Sequence, residues 1–280
     1  MKTAFVLSGG GAKGAFQVGA MQALAEKGVV PDVIYGTSVG ALNATGYSYI
    51  GLDGLESLWR AIKRRRDMLG LNLAKILTLQ AKGVFNTKPL RRKIKKITKG
   101  NDADFPVWVC VTNLNDGSIS YHRSETPSFE RMVEASASIP VAMEPIRRYL
   151  VDGGVREQAP LKRAIQDGAD RIILILCNPM IDKMKRWGYD DGFLPLIRIG
   201  LRAVQMLQHE VYVNDINVCQ LINEKIKHQV DDAPIMKRII DLQVYAPKHT
   251  VIDTLDFNPR KINKAMMQGW EVVSDSKLYD

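Results

Sequence analysis

Apolar runs of strand length alternate along this chain with longer stretches in which apolar residues recur at helical spacing. That is the pattern of an α/β fold on a mainly parallel sheet, a three-layer α/β/α sandwich. The runs predict strands near 3–8, 33–37, 106–113, 146–151, 171–177 and 240–246. Residues 15–27 read as a helix stopped by Gly28, with Pro31 beyond it, and a second helix over 39–49 follows the second strand without a gap. The stretch NLNDGSISYHR at 113–123 reads as a strand end, an Asn-Asp-Gly turn and a return strand, because glycine supplies positive φ at the turn. A long helical pattern covers 194–229 behind Pro195, and a last helix starts near Asn258 with Pro259 in its first turn. Residues 55–100 break the alternation with helical sequence that lacks β-branched clusters. No linker separates two halves, so the expectation is a single domain over 1–280 with a helical insertion around 55–100.

Composition leaves this picture intact, and charge sharpens it. A chain of 280 residues with 46% hydrophobic and 25% charged residues can bury a substantial core, roughly three quarters of its unfolded surface. The net charge is +9, yet residues 60–100 alone hold fourteen Lys or Arg against one acid, Asp67, so the rest of the chain is acidic (9 − 13 = −4). A local basic patch implies an anionic partner more specifically than a high overall charge does. No apolar run approaches the roughly 20 residues of a membrane-spanning helix, and the first strand leads into glycines rather than a signal-peptide cleavage site. Cys110, Cys177 and Cys219 are far apart and show no metal-binding spacing, which points to core thiols, no metal site and a reducing, cytoplasmic setting.

Three short motifs carry the chemistry. Residues 7–14, LSGGGAKG, match the G-x-G-x-x-G spacing of a dinucleotide-binding turn through Gly9, Gly11 and Gly14. A dinucleotide fold needs an acid at the end of its second strand for the ribose; that place is taken by Gly36-Thr37-Ser38-Val39-Gly40, and Asp32 precedes the strand. A Walker loop fails as well, since Lys13 is followed by Gly14 and Ala15. G-x-S-x-G between an apolar strand and a helix is instead the context of a nucleophilic serine lifted clear of the sheet on a tight turn. Glycine amides that lead into a helix can then face a developing oxyanion. Asp152, with Gly153 and Gly154 at the end of a later strand, is either a general base or a plain turn former. Lys13 is either an anion-steering group or an exposed lysine.

In this order, 9–14, 36–40 and 152–154 resemble the patatin-like phospholipase family, helped by the small-residue block Ala135-Ser136-Ala137-Ser138-Ile139-Pro140 and by Leu255-Asp256-Phe257 and Gly269-Trp270 near the end. The resemblance implies a hydrolase of acyl esters, of phospholipid or lysophospholipid type, without cofactor or metal. Ser38 would be the nucleophile and Asp152 its base. Gly9, Gly10 and Gly11 would form the oxyanion loop, with the Gly10 and Gly11 amides as its donors, and Lys13, Gly14, Gly36, Gly40, Gly153 and Gly154 would support the motifs. The family often has Asn where this chain has Gln158. A carboxylate of ordinary pKa is a weak base toward serine, so Asp152 is expected to be desolvated and raised in pKa.

Two other readings remain open at this stage. His249 follows an apolar run and gives the chain order of a Ser38-Asp152-His249 triad. The basic segment allows a non-enzymatic protein that binds nucleic acid or an anionic surface, although Phe85 is its single aromatic, poor provision for base stacking. In KPLRRKIKKITKG, Leu90, Ile94 and Ile97 form one apolar stripe, and Arg91, Arg92, Lys93, Lys95 and Lys96 fill the remaining faces. Such a helix suits peripheral contact with an anionic membrane, its stripe toward lipid, or else a stripe packed on the core.

Overall fold

The computed structural model describes residues 1–72, 78, 82–180, 199–200, 202–203, 206, 216–217, 219–220, 223–224 and 239–276. The predicted helix over 194–229 lies largely outside them. In chain order the elements are β1 (Thr3–Leu7), α1 (Ala15–Glu26), β2 (Val33–Gly36), α2 (Val39–Arg60), β3 (Gly70–Leu71), β4 (Phe85–Asn86) and α3 (Lys88–Thr98). There follow β5 (Val107–Asn113), β6 (Ile119–Arg123), α4 (Phe129–Ser136), β7 (Leu150–Asp152), α5 (Leu161–Gln166), β8 (Arg171–Ile175), β9 (Asp241–Tyr245) and α6 (Pro259–Ser274). All six predicted strands are present, although β7 is shorter than expected.

The main sheet runs β6-β5-β2-β1-β8-β9, with β7 also on β5. Every pair from β5 through β2, β1 and β8 to β9 is parallel; β6 and β7 are antiparallel to β5. Strand alternation divides the core in two. Phe5, Leu7, Ile34, Val109 and Ile173 face α1, α2, α4 and α6, while Ala4, Val6, Tyr35, Ile172 and Leu174 face α5. This is the α/β/α sandwich that the alternation predicted.

Helix α1 is buried along most of its length because α6 covers it. Only glycine permits the approach: a Cβ on Gly19 would stand 1.8 Å from the Met266 carbonyl oxygen, and one on Gly269 2.0 Å from that of Phe16.

Segment 55–100 departs from the all-helical expectation. Helix α2 continues to Arg60 but is broken at Gly51 (φ 68°, ψ 176°), so its second half folds back. Leu55 then packs on Gly46, and the Trp59 indole N–H donates to Asn43 Oδ1 at 2.8 Å. A one-turn 3-10 helix at Arg65–Asp67 and the short antiparallel β3–β4 ribbon follow. Helix α3 then lays Leu90 and Ile94, 4% and 2% exposed, into the core. It is tied to α4 by Glu134, a fully buried carboxylate that accepts from Arg91 Nε (2.9 Å), Arg131 and the Thr87 hydroxyl.

Candidate active site

Ser38 occupies the turn from β2 into α2 with φ 56° and ψ −122°, a conformation that a side chain other than glycine adopts only under constraint. The constraint is steric. A Cβ on Gly36 would meet the Gly40 carbonyl at 2.5 Å, and one on Gly40 would meet the Leu7 carbonyl oxygen at 2.2 Å, so both flanking glycines are compressed against backbone. The Ser38 N–H donates to Ser136 Oγ at 3.0 Å, and the Thr37 hydroxyl donates to the Glu157 carbonyl. The elbow is therefore fixed from below by the sheet and from the side by the end of α4.

Sheet topology brings Asp152 to it. Strand β6 occupies one edge of β5 along 108–112, which leaves β2 and β7 to share the other. Strand β2 stops with Gly36 opposite Val109; β7 continues the same edge two residues further on, with Asp152 opposite Val111. The turn that leaves β2 thus meets the end of β7, which sets the Asp152 carboxylate facing the Ser38 hydroxyl, and the Gly154 N–H donates to that carboxylate at 2.7 Å. Its own N–H donates to the Ser138 carbonyl. Burial drives the Asp152 pKa from 3.8 up to about 7, against the opposing pull of the Ser38 hydroxyl and the Gly154 N–H.

The first glycine loop flanks the pair. A Cβ on Gly9 would lie 3.1 Å from Ser38 Cβ, one on Gly14 would strike Val39, and one on Gly153 would strike the Cys110 carbonyl. The Gly9 N–H is already donated to the Gln158 carbonyl at 2.9 Å, and Ala12 N–H to the Thr254 carbonyl at 2.8 Å. Between them, the Gly10 and Gly11 N–H groups have no hydrogen-bond partner among the described residues. Of the three glycines expected in the oxyanion loop, Gly9 has its amide occupied, and the two amides expected as donors, those of Gly10 and Gly11, are the unpaired ones. Lys13 is neither exposed nor loose: its Nζ donates to Asn178 Oδ1 at 2.7 Å beyond the end of β8, and burial lowers its pKa.

Ser38 and Gly11 line an apolar cleft of about 100 Å³. Leu42 and Leu58 from the two halves of α2, Leu90 and Ile94 from α3, and Val133 from α4 line its walls, and Lys93 is its single charged lining residue among those described. The apolar lining suits a hydrocarbon chain.

Comparison with known proteins gives the family. The sequence profile described as patatin-like phospholipase matches residues 5–165, more than half of the chain. The chain belongs to the patatin-like phospholipase family. It is 30% identical over 187 residues to patatin-like phospholipase domain-containing protein 7 of Rattus norvegicus, a match covering 61% of this chain but 13% of that protein. It is 31% identical over 195 residues to lysophospholipase nte1 of Aspergillus terreus, covering 67% of this chain and 12% of that one. Escherichia coli YjjU is 24% identical over 272 residues, or 89% of this chain and 70% of its own length. Among solved structures, VipD from Legionella pneumophila aligns over 97% of this chain and 66% of its own, with 14% identity and a TM-score of 0.48.

Within this patatin-like site the histidine alternative lacks support. His249 is exposed, and its Nδ1 meets the Gln268 side chain at 3.3 Å on α6 rather than Asp152. His122 lies on β6 against Ser120, and His209 and His228 fall outside the described residues. The membrane-facing stripe of α3 is likewise corrected. Leu90, Ile94 and Ile97 form the cleft wall, and Arg91 is an internal partner of Glu134.

Ser136 is a site residue whose role the motif did not reveal; its only signal was membership of the small-residue block. Fully buried at the end of α4, it accepts the Ser38 N–H, while neighbouring Ser138 anchors Asp152 through its carbonyl. A buried donor without its acceptor costs about 1–3 kcal/mol, a load that the strained elbow would relieve by shifting. Ser136→Ala is therefore expected to lower kcat on a soluble ester by roughly tenfold or more with KM little changed. Steady-state kinetics on the folded variant test this.

Proposed function

We propose that the protein is a serine acyl hydrolase that cleaves carboxylic esters of lipids through a Ser38–Asp152 dyad. The observation that carries the reading is the constrained serine, facing a buried carboxylate of raised pKa and lining an apolar cleft. Asp152 takes the Ser38 proton as Oγ attacks the acyl carbonyl, and the Gly10 and Gly11 N–H groups receive the oxyanion. One such donor is typically worth about 3 kcal/mol of the barrier. Collapse of the tetrahedral intermediate expels the alcohol, which takes the proton from Asp152. Water, deprotonated in turn by Asp152, then releases the fatty acid from Ser38.

A lipid substrate, phospholipid or lysophospholipid, is supported by the family and by the cleft. A cytoplasmic setting agrees with three buried free thiols. Among the described residues no helix is long and apolar enough to cross a membrane.

The cleft supplies the test of substrate class. Each methylene buried in it contributes about 0.8 kcal/mol. For a series of p-nitrophenyl esters, kcat/KM should climb with chain length until the cleft is filled. Leu58→Trp, which narrows the wall, should flatten that rise and leave the acetyl ester unaffected. A wild-type rate independent of chain length would remove the cleft from the account.

A further inference from the structure

The segments that wall the cleft carry a second feature on their outer side. Cleft-lining Ile62 and Met68 bracket Lys63, Arg64, Arg65 and Arg66, all exposed, and α3 presents exposed Lys88, Arg92, Lys95 and Lys96, with Lys99 just past its end, on the face opposite Leu90 and Ile94. The fold-back of α2 at Gly51 places the first group beside the second. The 3-10 turn at Arg65–Asp67 packs on α3, and Arg65 reaches the Leu255 carbonyl and the Phe85 ring. None of these nine basic residues forms a salt bridge among the described residues. Asp67, the one acid in residues 60–100, has its carboxylate engaged by the Lys63 and Arg64 N–H groups.

Two apolar side chains stand out on the same rim. Leu71 follows cleft-lining Leu69 and is 54% exposed; Val141 lies between cleft-lining Ile139 and Met143 and is 51% exposed. Val141 has φ 69°, a costly conformation for a β-branched residue, so its outward position is imposed by the surrounding chain. The ribbon and this loop are joined through Phe85, which pairs with both Leu71 and Met143.

We propose that this rim is a docking face for an anionic lipid bilayer. The basic side chains lie over the head groups, Leu71 and Val141 enter the interfacial layer, and an acyl chain passes from the bilayer into the cleft without crossing water. Helix α3 does not insert, since its apolar stripe is the cleft wall. Charge complementarity commits the face to an anionic surface, and two apolar tips beside an apolar opening suit lipid rather than nucleic acid.

The proposal takes the cleft as the acyl site from the reading above, but docking is measured independently of turnover. The experiment sediments full-length Ser38→Ala protein with phosphatidylcholine vesicles, with and without phosphatidylserine, and compares it with the same protein carrying Arg64→Glu, Arg92→Glu and Lys96→Glu. Binding is expected only to the phosphatidylserine vesicles and to weaken at least ~100-fold in the triple variant. The triple substitution on the Ser38 background of the wild type should leave hydrolysis of a soluble acetyl ester within about twofold and lower hydrolysis of vesicle phospholipid together with binding, as expected when vesicle contact and soluble chemistry separate. Equal binding to both vesicle types, unaltered binding by the triple variant, or tighter binding to duplex DNA than to vesicles at the same salt would overturn it. Vesicle binding without ester hydrolysis by the wild type would leave the docking face standing and refute the enzymatic reading instead.

Discussion

Ser38→Ala is expected to abolish ester hydrolysis, a loss of about 10⁴-fold or more, and Asp152→Asn to lower it by roughly 10²- to 10⁴-fold, both in folded protein. The two losses should not add, because nucleophile and base act as one unit: the double variant should be no slower than Ser38→Ala alone. The Asp152 effect is the more informative. Its side chain is buried and faces the Ser38 hydroxyl, and among the described residues no histidine is hydrogen-bonded to it, so the carboxylate is the base that the proposed chemistry needs. An amide at 152 keeps an acceptor for the Gly154 N–H and removes only the basicity. Near-normal turnover by Asp152→Asn would therefore reassign the base without any change of fold to obscure the result.

The same ionisation should make activity and stability move in opposite directions with pH. In the folded protein the Asp152 pKa is raised from 3.8 to about 7, so between those values the folded state holds a proton that the unfolded state has released. Stability from this group is accordingly full below about pH 4, falls as pH rises, and is lost above about pH 7, a change of about 4 kcal/mol at ~1.4 kcal/mol per pKa unit. Catalysis needs the ionised form, so kcat/KM should rise over the upper part of that range and level off above it. Asp152→Asn has no such ionisation. Its unfolding free energy relative to the wild type should increase from pH 4 to pH 8, leaving the inactive protein the more stable one at pH 8. Denaturant melts at the two pH values provide the check, and a difference that does not change with pH would show that Asp152 titrates normally.

Much of this site was legible in the chain because its parts are local. A glycine compressed against backbone, as at Gly36 and Gly40, and an aspartate at a strand end leave signatures within a few residues. What was not legible depended on contacts made far away in sequence. The amphipathic period of α3 was read correctly, but period alone does not say whether Leu90 and Ile94 meet lipid or protein; the fold-back at Gly51 and the buried Glu134 decide that. The predicted helix after Ala61 gave way to a turn and a two-stranded ribbon, since residues 70–71 and 85–86 pair only once α2 has turned back. That the Gln158 carbonyl occupies the Gly9 amide is not visible in the sequence, because the two residues lie far apart along the chain. Ser136 was visible only as a small residue, because its role is a single hydrogen bond to an amide 98 residues earlier.

The central claim is that Ser38 is an activated nucleophile and Asp152 is what activates it. The most direct measurement is covalent labelling with a fluorophosphonate, followed by peptide mass spectrometry and repeated across pH. The account predicts a single adduct on Ser38, formed at a rate that rises with pH toward a plateau above about 7 and collapses in Asp152→Asn. An adduct on any other residue, or labelling of Ser38 that proceeds unchanged without the Asp152 carboxylate, would contradict it.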